Sequence, residues 1–327
     1  MRIAVVGSGV SGLGATWLLN EYTEHEVHLY EADSRPGGHA NTVPFAQPGK
    51  QPVGVDTGFI VLNSTTYPNF LRFLRQCPSV EILPTDMTFS VSRDGGEFEW
   101  AGTSLRAVFC QPKRLLDPGM WRMLWDVLRF NACATELLRD ESCGADETDD
   151  DVSIGVYLQR EGYSNSFRDN YLIPMTAAIW STPPDTCILD FPARTLIRFM
   201  HNHHLLQLVG RPPWLTIKGG SKKYVDAILS KLPPSQLHLS TPIRSIRQEP
   251  LCGPDKGKFM IETSTRVVET YDRVILACHS DQALEMLSDA TDEEAKILGG
   301  FRWSHNEVVL HSDRSVGGPA FQAGAGL

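Results

Sequence analysis

A glycine pattern near the amino end constrains this chain more than any other feature. Gly7-Ser8-Gly9-Val10-Ser11-Gly12 follows Arg2-Ile3-Ala4-Val5-Val6, a short β-branched run. Such runs read as buried parallel strands. Val10, Leu13, Ala15, Leu18 and Leu19 then recur at helical spacing over residues 10–21, and residues 26–31 read as a second strand. Strand, glycine turn, helix and strand within about 30 residues make one βαβ unit.

In such a turn the first glycine permits the bend. The second lets main chain approach a pyrophosphate, and the third lets helix and strand pack closely. Main-chain N–H groups and the helix N-terminus then face the phosphates. Gly7, Gly9, Val10, Ser11 and Gly12 are therefore the phosphate-side candidates. Glu31 ends the second strand about 20 residues further on, where a carboxylate accepts from both ribose hydroxyls and repels a 2′-phosphate. That disfavours NADP. FAD and NAD share this fingerprint, so the next segment matters. Arg35-Pro36-Gly37-Gly38 adds a guanidinium and further N–H groups, which suit an anionic ligand that runs on past the pyrophosphate.

The 327 residues suffice for one large or two ordinary domains. Hydrophobic residues make up 42% and charged residues 21%, as in soluble globular chains. A net charge of -9 repels phosphate backbones and argues against a nucleic-acid partner. The seven cysteines include no CxxC pair, so reduced thiols in a cytoplasmic setting are expected, with no metal site and no disulfide framework. No apolar run approaches the ~18 residues of a membrane span, so no integral membrane association is expected. Residues 3–19 are small and apolar like a signal peptide, but their glycine spacing opposes that, and the first strand begins with nothing left to cleave.

Further along, residues 67–74 read as a helix, and residues 81–101 as a hairpin joined through Asp94-Gly95-Gly96. Residues 119–139 form an amphipathic helix, for which a membrane-surface contact and packing inside the domain are equally suitable. Residues 144–151 are an acidic surface connector, and Ser153 is placed to cap the next helix. Residues 164–209 are mostly helical with a break at Pro183-Pro184, and residues 216–231 hold a Gly-Gly turn and a helix. Residues 237–247, 257–263 and 266–278 read as strands. The expected fold is α/β: a Rossmann-like FAD/NAD(P)-binding domain from 1–80 and 211–290, interrupted by an inserted α+β substrate domain from 81–210 and 291–313. Strands from both ends of the chain would share one sheet.

Glu31-Ala32, Arg35-x-Gly37-Gly38 and Thr42 resemble the second signature of the flavin-containing amine oxidase superfamily. His39 and the segments Val55–Ile60, Thr66–Phe70, Ala177–Ser181 and Lys218–Ser221 are similar to its predicted NAD/FAD-binding branch, whose bacterial members neighbour cyclopropane-fatty-acid synthase genes. The resemblance runs to about residue 313. It implies FAD as cofactor, with Gly7, Gly9 and Gly12 at the pyrophosphate, Glu31 on the ribose, and Arg35, Gly38 and Thr42 supporting the phosphates. It also implies Gly58 and Phe59 near the flavin ring, and Ile243 where main chain pairs with adenine. For Phe59 core packing is the competing role, and for Ile243 a plain strand position.

The implied function is an FAD-dependent oxidoreductase moving hydride from an amine or an unsaturated, lipid-like small molecule to flavin. The superfamily pattern continues beyond this length, with a later flavin-contacting segment, so a truncated and inert flavoprotein fold is the second hypothesis. An NAD-dependent dehydrogenase is the third, opposed by the arginine–diglycine turn. Residues 314–327 read as a disordered tail. No catalytic base stands out. His201, His203 and His204 lack an acidic partner at metal-ligand spacing, Lys218 suits a flavin edge or an exposed loop, and Trp180 and Trp214 suit a pocket or a core.

Overall fold

The computed structural model describes residues 1–46, 49–139, 152–180, 189–208, 210–250, 256–303, 305 and 307–313. The acidic connector, Ser181, the Pro183-Pro184 break and the 314–327 tail lie outside them, as do Cys143, Cys187 and Cys252.

The chain opens with β1 (Arg2–Val6), α1 (Val10–Tyr22) and β2 (Glu26–Tyr30), then β3 (Thr42–Phe45), β4 (Val53–Asp56), β5 (Leu62–Asn63), α2 (Pro68–Leu74) and β6 (Ile82–Thr85). The hairpin β7 (Ser90–Arg93) and β8 (Phe98–Ala101) leads into α3 (Leu105–Val108), α4 (Pro118–Cys133), α5 (Ile154–Arg160), α6 (Asn165–Phe167), α7 (Ile173–Trp180) and α8 (Ala193–Asn202). The remainder is β9 (Trp214–Ile217), α9 (Lys222–Leu229), β10 (Leu237–His238), β11 (Ile243–Gln248), β12 (Phe259–Thr263), β13 (Val268–Tyr271), β14 (Arg273–Leu276), α10 (Ser280–Met286) and α11 (Asp292–Leu298).

Two compact units emerge. The first comprises Met1–Leu62, Tyr67–Thr85 and Leu215–His305. Its centre is a parallel sheet of order β10-β2-β1-β14, so strands from both ends of the chain lie side by side. Both faces are covered, and the side chains divide with a period of two. Val5, Val27 and Leu29 pack with Leu13 of α1 and with Val225 and Ile228 of α9. Ala4, Val6 and Tyr30 pack on the other side with Ile246, Ile261 and Tyr271. The sheet β11-β12-β13 supplies that second layer.

Two expected strands are each divided. Residues 237–247 become β10 and β11 because Ser240 takes φ 49° and Pro242 follows, which turns the chain from the parallel sheet into the antiparallel one. Residues 266–278 become β13, paired with β12, and β14, paired with β1. Of residues 291–313, expected in the substrate domain, α11, with its Thr291–Glu294 capping box, and Trp303, stacked on His279, lie in the first unit, whereas residues 307–313 lie in the second.

The second unit comprises Asn63–Thr66, Asp86–Trp214 and Asn306–Leu327. Asp94, Gly95 and Gly96 all take positive φ and turn the β7–β8 hairpin. Four of its helices, α3 to α6, begin at side-chain caps, Ser104, Asp117, Ser153 and Ser164. They close on Phe130, Ile154, Phe167, Leu196, Ile197 and Met200. No described helix is long and apolar enough to cross a membrane.

Candidate functional site

β1 ends at Val6, and Gly7 turns away with φ 101°, its N–H donating to the Tyr30 carbonyl at 2.8 Å. A Cβ on Gly7 would meet the Ala277 carbonyl oxygen at 2.5 Å, and one on Gly12 would meet the Gly7 oxygen at 1.8 Å. Neither glycine tolerates a side chain. Gly9 differs: a Cβ there meets nothing within 4 Å, because the residue faces an open groove. α1 starts directly after it, with no side chain capping its first turn and with Val10 and Ser11 exposed. Uncapped N–H groups at the positive end of a helix suit an anion.

The acid at the end of β2 is tied to this loop. The Ser8 N–H donates to Glu31 Oε2 at 2.9 Å, and the Ser8 hydroxyl donates to the same oxygen. The Asp33 N–H donates to Oε1 at 2.9 Å. Gly37 N–H donates to both the hydroxyl and the carbonyl of Ser8, each at 3.1 Å. A carboxylate offers about four acceptor positions, so Glu31 keeps room for a further donor on the Oε1 side. Ser8, fully buried, is the hub that sequence reasoning passed over.

Arg35 donates to the Gly38 carbonyl at 3.0 Å and so holds the diglycine turn from outside. Gly37 and Gly38 take φ 111° and 55°, and a Cβ on Gly38 would meet Gly9 Cα at 3.0 Å. The turn thus lies against the first loop. On the other side, Thr241 N–H donates to the Glu31 carbonyl and Ser240 N–H to the Asp33 carbonyl, both at 2.9 Å, which brings Ile243 alongside.

One groove of about 1310 Å³ results, at the carboxyl ends of β1, β2 and β14. Crevices there are the ligand sites of open α/β sheets. Gly7, Gly9, Val10, Ser11, Glu31, Arg35, Gly37, Gly38, Phe59 and Ile243 all line it. Three candidates do not. Gly12 packs behind the loop. Gly58 sits where a Cβ would meet the His39 carbonyl at 2.4 Å, which lets Phe59 N–H reach that carbonyl. Thr42 donates to Asp56 Oδ1 at 2.6 Å and accepts from Lys222 N–H at 3.0 Å, in a buttress that includes Ser221.

Of the other walls, sequence reasoning named only Phe59. Phe59, Tyr67, Phe70 and Tyr224 form an aromatic side, with ring centroids 5.4 to 6.2 Å apart. Burial pushes the Tyr224 hydroxyl up to about 12. Cys278, His279 and the α10 residues Gln282 and Glu285 close the opposite edge. Burial raises the Cys278 thiol, so it stays protonated at neutral pH. The pairing of β14 with β1 was the available signal for this edge, since residues leaving β14 must emerge beside the glycine loop. Tyr30, also lining the groove, bonds Tyr271 through the hydroxyls at 2.6 Å, and Tyr271 donates to Glu269, which pairs with Arg2 at 2.6 Å.

Three further candidates are engaged elsewhere. Lys218 pairs with Glu81 at 2.7 Å, His203 bonds the Phe199 carbonyl at 3.0 Å, and Trp180 packs on Phe191 and Phe199. Among the described residues no three metal-ligating side chains cluster.

Comparison with known proteins places residues 10–299 within the model of the family described as flavin containing amine oxidoreductase. No curated protein matches by sequence. Solved structures with the same fold include cyclohexylamine oxidase from Brevibacterium oxydans, at 15% identity and TM-score 0.66, covering 91% of this chain and 62% of that one. Putrescine oxidase bound to putrescine gives 16% and 0.62, covering 91% and 63%. A CLA-producing fatty acid isomerase from P. acnes gives 16% and 0.58, covering 91% and 63%. The chain therefore spans a little under two thirds of the length of these relatives.

Proposed function

Since the chain belongs to the flavin containing amine oxidoreductase family, a family of FAD-dependent oxidoreductases, we propose that its groove holds FAD and serves oxidation of an amine or of an unsaturated, lipid-like molecule. The observation that carries this reading is the convergence of three separate segments, the glycine loop, Glu31 and the Arg35–Gly38 turn, on one elongated groove.

The residues fit the cofactor. Gly9 leaves the floor of the groove free of side chain where Gly7 and Gly12 allow none, as close approach of a pyrophosphate requires. Val10 and Ser11 would offer helix N-terminal N–H groups to it. Gly37 and Gly38 add main chain beside those groups, with Arg35 as the nearby cation. Glu31 would accept from the adenosine ribose through its Oε1 side, and Ile243 would flank the adenine. The aromatic side formed by Phe59, Tyr67, Phe70 and Tyr224 suits a planar ring. Thr42 and Gly58 would act at one remove, by holding the β3–β4 pair and Phe59 in place.

When bound, FAD supplies a hydride acceptor, so the chain needs no nucleophile or metal of its own for that step. The protein's share is to bind, orient and shield. Amines are named for cyclohexylamine and putrescine oxidases and a fatty acid for the isomerase, which supports both substrate classes.

The test is optical. Purified chain is incubated with FAD and desalted, and its visible spectrum is recorded before and after anaerobic addition of primary amines, diamines and unsaturated fatty acids. A retained flavin band, bleached by one class, supports the proposal and names the class. A retained band that nothing bleaches favours the non-catalytic reading. Colourless protein whose fluorescence NADH quenches supports a dehydrogenase.

A further inference from the structure

We propose that the outer face of α4, together with the turn before it, docks on an anionic lipid surface. α4 is apolar on two sides. Met120, Met123, Val127 and Phe130 are buried on the inner side. Trp121, Trp125 and Leu128 recur at helical spacing on the outer side, and they are 52%, 60% and 49% exposed. A helix that only lined the core would carry polar residues there.

The patch extends beyond the helix. Leu115 and Leu116, in the turn before α4, and Leu105 in α3 are 50%, 89% and 78% exposed. The Trp121 indole N–H donates to the Leu115 carbonyl at 2.8 Å, and its ring lies 5.0 Å from that of Phe109. These contacts join the turn to the helix as one surface. Contiguous apolar surface of this kind marks an interaction site, and exposed Trp with neighbouring Arg and Lys is the composition of a membrane interface.

Charge selects the occupant. Residues 105–133 carry five basic side chains, Arg106, Lys113, Arg114, Arg122 and Arg129, and two acidic ones, in a chain of net charge -9. Asp126, fully buried, is paired with Arg122 at 3.0 Å and Arg129 at 3.6 Å, and Asp117 with Arg114 at 2.8 Å, so five basic less two acidic side chains leave three positive charges, with Arg106 and Lys113 outside these pairs. The patch is therefore cationic against an acidic background. A second copy would set like charge against like charge, which opposes self-association. Anionic headgroups neutralise the basic side chains while the Trp and Leu side chains enter the acyl boundary.

Flotation of the full chain with phosphatidylcholine vesicles, with and without phosphatidylserine, tests this. The chain should float with the anionic vesicles, detach as salt rises, and shift its Trp emission to the blue. Trp125→Glu and Leu116→Glu alter exposed positions, so circular dichroism should be unchanged while lipid partition falls about tenfold each. Lys113→Gln should lower it about fivefold on anionic vesicles alone. The proposal is overturned if neither vesicle binds, if the folded variants bind as well as the parent, or if the chain is a dimer that Trp125→Glu dissociates.

Discussion

Ser8 donates twice to a single oxygen of Glu31, through its main-chain N–H at 2.9 Å and through its hydroxyl. The same hydroxyl accepts from Gly37 N–H. One buried side chain therefore fixes the glycine loop to the acid after β2 and to the diglycine turn, which are the pieces that must converge for a dinucleotide to bind.

Ser8→Ala should weaken this junction without unfolding the chain. It removes two hydrogen bonds, one to a charged group, each worth about 1 to 2 kcal/mol. FAD affinity measured by flavin fluorescence should fall about tenfold or more. Unchanged affinity would mean that Ser8 organises nothing the cofactor uses.

Gly9→Ala and Gly12→Ala should fail in different ways. An alanine at Gly12 meets the Gly7 oxygen at 1.8 Å, so the loop must shift, and overpacking costs about 1 to 3 kcal/mol. Its thermal midpoint should drop. An alanine at Gly9 meets nothing within 4 Å in the free protein, so the midpoint should hold while FAD affinity collapses. Equal effects of the two substitutions on both readouts would contradict the assignment of Gly9 to the ligand side.

Stability should decline on mild acidification through His238. Burial, and then the neighbouring His28, hold its ring below the usual histidine value, with Glu269 opposing and Arg2 reinforcing. The unfolded chain takes up a proton near pH about 6.5, the folded chain only at lower pH. Between those values the unfolded state binds more protons, so stability falls as pH drops below about 6.5. Melts between pH 7.5 and 5.5 should show that decline, and His238→Gln should flatten it. A slope identical in both proteins would exclude His238 as its source.

Asp126 should matter to the second unit more than its sequence context suggests. Burial pushes its carboxyl up, but the hydrogen bonds from Ser164 and the Arg122 guanidinium bring it below the usual range. Asp126→Ala leaves the Ser164 N–H, now donating at 2.9 Å, without its acceptor. The cost is about 1 to 3 kcal/mol, read as a lowered thermal midpoint with FAD affinity unchanged, since the groove lies in the first unit. A loss of FAD affinity instead would show coupling that this account lacks.

The opening βαβ unit was legible because its signals are local. Glycines, a β-branched run and an acid at fixed spacing leave few alternatives. The pairing of β1 with β14 was legible from two β-branched runs that read as strands, although β14 is only half-buried. The division at Ser240 was not, since a non-glycine residue with positive φ has no sequence mark. Thr42 and Gly58 read as cofactor neighbours because a motif records which residues recur, without saying which touch ligand. In the structure one buttresses Asp56 and the other lets Phe59 approach His39. Of the aromatic side of the groove only Phe59 was legible, for a further reason. Phe59, Phe70 and Tyr224 come from distant segments, and any one aromatic residue reads equally as core.

The most direct measurement is an equilibrium titration of the folded chain with FAD, run beside one with NAD. Saturable one-site binding of FAD, with NAD far weaker, is the expected result, because the Arg35–Gly38 turn serves only the longer ligand. A folded chain that takes up no FAD at any concentration, or that prefers NAD, would contradict the account.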